Sequence, residues 1–270
     1  MTAHLEFALQ LAKQTGNLLL QHFHSVGLKT HLKGDHSVVT EADMAADRLI
    51  ADAIQNNYPD DLIVSEELQP SYPNLAQGSA RATWVIDPLD GTTNFSLGFQ
   101  FWGVLITRLV DGWPNTAVLY FPMIDECYSA QQGQGAYLNG VRLQIKKQNR
   151  ERPQSFFACC SRTFRRYQVS VPYKTRILGS AAYTFCALAR EVAVLGFEST
   201  PKIWDISGGW LLVQEAGGVI ETLDGSQPFP LKSGIDYASK SFPTLAAADH
   251  TIADKAHQQI IPKGGSMGGS

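Results

Sequence analysis

Apolar residues recur at Leu5, Ala8, Leu9, Ala12, Leu19, Leu20 and Phe23, a three-and-four spacing that lays one stripe along an amphipathic helix. The polar run from Lys29 to Ser37, with Gly34 and several charges, reads as a loop or a loose hairpin. Thr40 then opens a second helix whose stripe passes through Ala42, Ala45, Ala46, Leu49, Ile50, Ala53 and Ile54. Asn56, Asn57 and Pro59 end it. Leu62-Ile63-Val64 and Trp84-Val85-Ile86 are short continuous apolar runs, the pattern of buried strands. The second is expected to stop at Asp87-Pro88, because proline has no N–H for a further ladder bond.

Phe101 to Val110 and Ala117 to Phe121 read as strands joined through Asp111-Gly112, and Asn139-Gly140 is a hairpin turn between 136–138 and 141–143. The polar span Lys146 to Ser155 is the expected boundary between an N-terminal half, 1–145, and a C-terminal half, 146–262. Beyond it come strands near Phe156–Cys160 and Arg176–Leu178, a helix from about Ser180, and a helix from Asp205 to Gly217-Gly218. Val219–Leu223 and Leu245–Ala248 read as further strands. This mixture predicts a layered α/β fold. Residues 263–270, rich in Gly and Ser, read as a flexible tail or an expression remnant.

Composition narrows the class. The 270 residues are 44% hydrophobic and 17% charged, which suits a packed globule that needs no disulfide staples. Cysteines 127, 159, 160 and 186 lack CxxC or metal-ligand spacing, and Cys159 and Cys160 read as buried small hydrophobes within an apolar run. The net charge of -3 gives no footprint for nucleic acid or an anionic membrane. With no signal-peptide h-region and no long apolar stretch, the cytoplasm is the default location. One basic cluster stands out, Arg162, Arg165 and Arg166; it reads as solvated surface, with a rim that attracts an anionic substrate as the functional alternative.

The candidate chemistry lies in Asp87-Pro88-Leu89-Asp90-Gly91-Thr92-Thr93-Asn94-Phe95. A buried strand delivers Asp87, and a tight turn brings Asp90 toward the same point. Gly91 permits a positive φ, and the following residues can begin a helical turn with free N–H groups. Carboxylates that hold hard cations beside N–H groups that receive phosphate are what phosphoryl chemistry requires. Taken singly the other acidic residues have bland readings: Glu66-Glu67 as surface, Asp205 as an N-cap, and Asp43 as the last member of a variant capping box at Thr40.

In their order these pieces resemble the inositol monophosphatase family of lithium-sensitive, magnesium-dependent phosphatases. The resemblance runs from about residue 5 to 250, through Lys33 and Ser37-Val38-Val39-Thr40-Glu41-Ala42-Asp43, Ser65-Glu66-Glu67, the Asp87–Phe95 string, Gly179-Ser180-Ala181-Ala182, Trp204-Asp205 and Glu215-Ala216-Gly217-Gly218. It implies an α/β/α/β/α sandwich, assembled as a homodimer, with two or three Mg2+ ions. By the same resemblance Glu66, Asp87 and the Leu89 carbonyl hold the first ion, Asp87, Asp90 and Asp205 the second, and Glu66 with water a third. Thr92, oriented by Asp43 with Glu66 nearby, helps activate the attacking water. Asp90, Gly91, Thr92, Thr93, Gly179, Ser180, Ala181, Glu198 and Asp205 surround the substrate.

The implied substrate is a small phosphorylated polyol or amino alcohol: inositol 1-phosphate first, histidinol phosphate or another sugar phosphate such as fructose bisphosphate as alternatives. Thr93-Asn94 argues against a bisphosphate nucleotide. Ser65 stands where a glycine often precedes the Glu pair, and Lys33 is the candidate for a lid residue.

Overall fold

The computed structural model describes residues 2–24, 30–32, 38–67, 82–146 and 155–263, with the backbone alone at 30–32 and 38–40. Lys33 and Ser37, most of the polar span between the halves, and residues 264–270 lie outside the described residues.

In the first half α1 (Ala3–Phe23) and α2 (Glu41–Asn57) flank an antiparallel hairpin of β1 (Thr30–Leu32) and β2 (Val38–Thr40). Then come β3 (Leu62–Ser65), β4 (Thr83–Asp90), the short helix α3 (Thr92–Ser96), β5 (Gly103–Val110), β6 (Trp113–Phe121), β7 (Glu126–Gln131), β8 (Gly135–Leu138) and β9 (Val141–Leu143). These seven strands form one sheet in chain order, antiparallel except for the β3–β4 pair. The second half holds β10 (Phe156–Cys159), α4 (Thr163–Arg166), β11 (Tyr167–Val169), β12 (Lys174–Arg176), α5 (Ala181–Ala189), β13 (Ala193–Glu198) and α6 (Ile203–Glu215). β14 (Val219–Thr222), β15 (Thr244–Ala247), α7 (His250–Gln259) and β16 (Ile260–Pro262) complete it. A second sheet has the order β12-β10-β13-β15-β14, while β11 pairs with β16.

Strand alternation sorts the core into layers. Trp84, Ile86, Val104 and Ile106 pack against the α1 and α2 stripes, where Ala42, Ala46, Ile50 and Ile54 are fully buried. Val85, Leu105 and Leu119 face the opposite way, against α5 and α6. The far side of that helical layer meets Ile220 and Ala246 of the second sheet, whose other face packs Phe157, Leu195 and Phe197 against α7. The result is the expected α/β/α/β/α sandwich. Among the described residues no helix is long and apolar enough to cross a membrane.

The punctuation follows the sequence closely. Asp111-Gly112 and Asn139-Gly140 take the left-handed conformations of tight hairpin turns. The Glu215 block acquires a structural reason: its carboxylate accepts the N–H groups of Gly133 and Gly135, each at 2.7 Å, and so ties the β7–β8 turn to the end of α6.

Other elements differ from expectation. The strand expected at Arg176–Leu178 ends at Arg176, and the helix expected from Asp205 begins two residues earlier. The strands β7 and β13 carry little signal of their own. β13 has one β-branched residue and a glycine, Gly196, at which a side chain would meet Thr184 Cγ2 at 2.9 Å.

Candidate active site

The parallel pairing of β3 with β4 matches Ser65 to Ile86, and the Glu66 N–H donates to the Ile86 carbonyl at 3.4 Å. Glu66 is thereby carried alongside Asp87. β4 does not stop at Asp87 as the proline suggested. It runs to Asp90 through a bulge, with Asp87 opposite Leu105 and Asp90 opposite Gly103. Pro88 sits in the bulge, where no ladder donor is needed. Leu105 and Gly103 are two apart and share one face of β5, so the extra residue turns Asp87 and Asp90 to the same side. In an unbroken strand, residues three apart would point oppositely.

Asp205 arrives from the other half at the third position of α6, its Oδ2 accepting the Lys202 N–H at 2.6 Å. One carboxylate oxygen each from Glu66, Asp87 and Asp205 lie within 4.8 Å of one another. Asp90 stands beside this trio, but its carboxylate is held by the start of α5: the Ser180 hydroxyl donates to Oδ2, and the Ala181 N–H donates to Oδ1 at 3.2 Å. Ser180 also caps α5, accepting the Tyr183 N–H at 3.0 Å.

Two glycines make this approach feasible. Gly91 has φ 84°, and a Cβ there would come within 2.8 Å of the Phe101 carbonyl oxygen; at Gly179, φ 77°, it would collide with the Asn94 side chain at 2.5 Å. Asn94 uses that proximity to donate to the carbonyls of Phe101 at 2.7 Å and Leu178 at 2.8 Å, joining the two halves.

Thr92 opens α3, and its hydroxyl proton has two acceptors, Asp43 Oδ1 at 3.1 Å and the Leu89 carbonyl at 3.0 Å. Asp43 is almost fully buried. One turn later on α2, the equally buried Asp47 accepts the Ser65 hydroxyl, next to Glu66. Sequence reasoning missed Asp47. Its signal was the spacing Asp43–Asp47, an i, i+4 pair of acids on a helix whose buried neighbours are alanine and isoleucine.

A cavity of about 970 Å³ opens beside these groups. Thr93, Gly179, Ser180, Ala181, Glu198 and Asp205 line it, whereas Asp90, Gly91 and Thr92 are not among its lining residues. Glu198 is the last residue of β13 and only 4% exposed. Its Oε1 accepts the Thr184 hydroxyl at 2.7 Å. Cys160 is not the inert buried hydrophobe its setting suggested. It lines the cavity, with its sulfur 3.1 Å from Ser199 Oγ and 3.3 Å from Thr163 Oγ1.

Electrostatically the cluster is poised for a cation. Burial pushes Asp87 well above the usual carboxylate range, and the charges of Glu66, Asp90 and Asp205 push it further. Asp205 is raised by burial and by Glu66, and Asp90 is raised to about 6 by burial, against the pull of the Ser180 and Ala181 hydrogen bonds. Crowded carboxylates repel, and a hard divalent cation removes that cost. The donor set is all oxygen, without thiol or imidazole, which fits Mg2+, Mn2+ or Ca2+ rather than zinc.

The inositol monophosphatase family model matches residues 1–260. Similar proteins include the Nus factor SuhB of Pasteurella multocida, 32% identical over 87% of this chain and 90% of that protein. Inositol monophosphatase 3 of Solanum lycopersicum is 32% identical over 83% of this chain and 87% of its own. The crystal structure of the extragenic suppressor protein suhB from Bartonella henselae superposes with a TM-score of 0.80 at 26% identity, covering 96% of this chain and 98% of that one. The chain belongs to the inositol monophosphatase family, a metal-dependent family of phosphomonoester hydrolases.

Proposed function

We propose that the chain is a cytoplasmic, homodimeric, Mg2+-dependent phosphatase that hydrolyses inositol 1-phosphate. The observation that carries this reading is the convergence of Glu66, Asp87 and Asp205 beside a Thr92 hydroxyl already engaged by Asp43. Glu66, Asp87 and the Leu89 carbonyl would hold one ion, Asp87, Asp90 and Asp205 a second, and Glu66 with water a weaker third. The half 1–145 thus supplies most ligands, while 146–262 supplies the last ligand and the substrate segment. When bound, Mg2+ supplies Lewis acidity to the phosphoryl group and offsets charge on the attacking and leaving oxygens.

The chain's own groups do the rest. Thr92 gives its proton to Asp43 or to the Leu89 carbonyl, so its oxygen lone pairs face outward to accept from the attacking water. Glu66 is the nearby carboxylate able to take the proton that water releases. Gly91, Thr92 and Thr93 open α3, whose first N–H groups have no intrahelical acceptor and can receive phosphate oxygens. Gly179, Ser180 and Ala181 bound the phosphate end of the cavity. Leu97, Phe99 and Ile177, which expose 65%, 58% and 52% of their surface at its mouth, are an apolar patch that a second copy would cover.

Glu198 favours a polyol over an amino alcohol. Burial, with the neighbouring Cys160 adding, holds its pKa well above the usual carboxylate range, toward the neutral form. A neutral carboxyl exchanges hydrogen bonds with hydroxyls, whereas an ammonium group wants a carboxylate. Several relatives are named Nus factor, but the complete set of carboxylates in this chain favours turnover over a purely binding role. Phosphate release from inositol 1-phosphate and histidinol phosphate, compared as kcat/KM in the same Mg2+ buffer, tests the reading. Preference for histidinol phosphate would overturn the substrate, and inactivity on both would overturn the proposal.

A further inference from the structure

Helix α2 carries two acids that are each only 1% exposed, Asp43 and Asp47. Four residues apart, they lie on one face of the helix, about 6 Å from each other along its axis. Asp43 accepts the Thr92 hydroxyl at 3.1 Å. Asp47 accepts the Ser65 hydroxyl, and Ser65 is the last residue of β3, one before Glu66. Successive turns of one helix therefore reach both groups that would handle the attacking water. Thr92 is held directly, and Glu66 through the residue before it.

Ser65 secures more than its own place. Its hydroxyl oxygen also accepts the Glu67 N–H at 3.3 Å, so the chain is pinned on both sides of Glu66. The sheet contributes less there: the Glu66 N–H reaches the Ile86 carbonyl at 3.4 Å, longer than the usual range for such a bond. Glu66 is also only half-buried, whereas Asp87 is buried, so packing restrains it less. Ser65 and Asp47 are both 1% exposed, and a hydrogen bond so shielded from water is electrostatically strong.

We infer that Asp47 and Ser65 are positioning residues that aim the Glu66 carboxylate at the metal cluster, with α2 as the common template that spaces Glu66 from Thr92. The inference rests on the metal-site reading above and deepens it. Neither residue touches an ion or the substrate; both act through Glu66. Partners behind a metal ligand fix its orientation, and their loss typically weakens metal binding tenfold to a hundredfold. Removing the Ser65 hydroxyl leaves the Glu66 carboxylate in place chemically but frees the peptide that carries it, so the loss falls on metal affinity.

The test measures Mn2+ binding to the full chain without substrate, by the paramagnetic resonance signal of free Mn2+ and by calorimetry, with urea midpoints alongside. Ser65→Ala should weaken Mn2+ binding about tenfold, and Ser65→Thr, which keeps the hydroxyl, should recover most of the loss. Asp47→Ala should match Ser65→Ala, and the double variant should bind no worse than either, because both remove one contact. Ile54→Val, a truncation in the fully buried part of α2, is the control: it lowers the urea midpoint and leaves Mn2+ affinity unchanged. Wild-type affinity in Ser65→Ala, no recovery in Ser65→Thr, losses that add in the double variant, or an equal loss in Ile54→Val would overturn the positioning role. If the wild type binds Mn2+ and Ser65→Ala binds it equally well, the metal site stands and the positioning role alone falls. A wild type that binds no Mn2+ would sink the metal-site reading and this inference with it.

Discussion

Replacing Asp90 by asparagine removes one charge from a crowded buried cluster and should stabilise the metal-free protein while destroying its chemistry. Asp90 is 5% exposed, and its pKa rises from 3.8 to about 6, burial being the main cause. A native acid with a raised pKa keeps its proton where the unfolded chain has lost it. Stability therefore falls as pH climbs from about 4 to about 6 and stays lower above that. At about 1.4 kcal/mol for each tenfold change in proton affinity, ionising Asp90 costs the metal-free fold about 3 kcal/mol at pH 7.

Asparagine keeps an acceptor for the Ser180 hydroxyl, but its NH2 then faces the Ala181 N–H, which gives back about 1 kcal/mol. The net expectation at pH 7 in EDTA is a gain of about 2 kcal/mol, or about 4–8 °C in Tm. Urea titrations at pH 5 and pH 7 read it directly. The gain should shrink at pH 5, where wild-type Asp90 is already largely protonated. Saturating Mg2+ should reverse the order, since only the wild type has the full ligand set. An asparagine variant less stable than wild type at pH 7 in EDTA, or a gap equal at the two pH values, would refute the reasoning.

Thr92→Val should lower kcat about a hundredfold with little change in KM, and Thr92→Ser should recover most of it, because the hydroxyl acts in the transition state. Ser65→Gly should cost about 1 kcal/mol by removing the hydrogen bond to buried Asp47, read as a lower urea midpoint. Lithium should inhibit at Mg2+ concentrations that sustain turnover; a lithium-insensitive enzyme would point to an altered second metal site.

Much of the fold was legible because its elements are locally consistent. The stripes of α1 and α2, the Asn139-Gly140 turn and the glycine before Thr92 each have one local reading, and the structure keeps it. Misreadings arose where a tertiary partner decides. Pro88 looks like a strand end, but a bulge absorbs it, and that bulge is what aims Asp87 and Asp90 together. Cys160 lies in an apolar run, yet the last strand residue faces the core and the next faces the cavity. Asp47 went unread because its partner, Ser65, lies 18 residues away in the chain. Glu66 and Asp205 have no local signal that sets them apart from surface acids. Only the ordered resemblance singled them out, and the parallel β3–β4 register and the start of α6 explain their convergence.

Phosphate release from inositol 1-phosphate, followed against Mg2+ concentration for wild type and Asp87→Asn, tests the central claim most directly. The wild-type rate should rise from zero in EDTA to saturation. The variant should lose about a thousandfold, several kcal/mol of charge stabilisation at the metal carboxylates. Release that ignores Mg2+, or an Asp87→Asn enzyme near the wild-type rate, would contradict it.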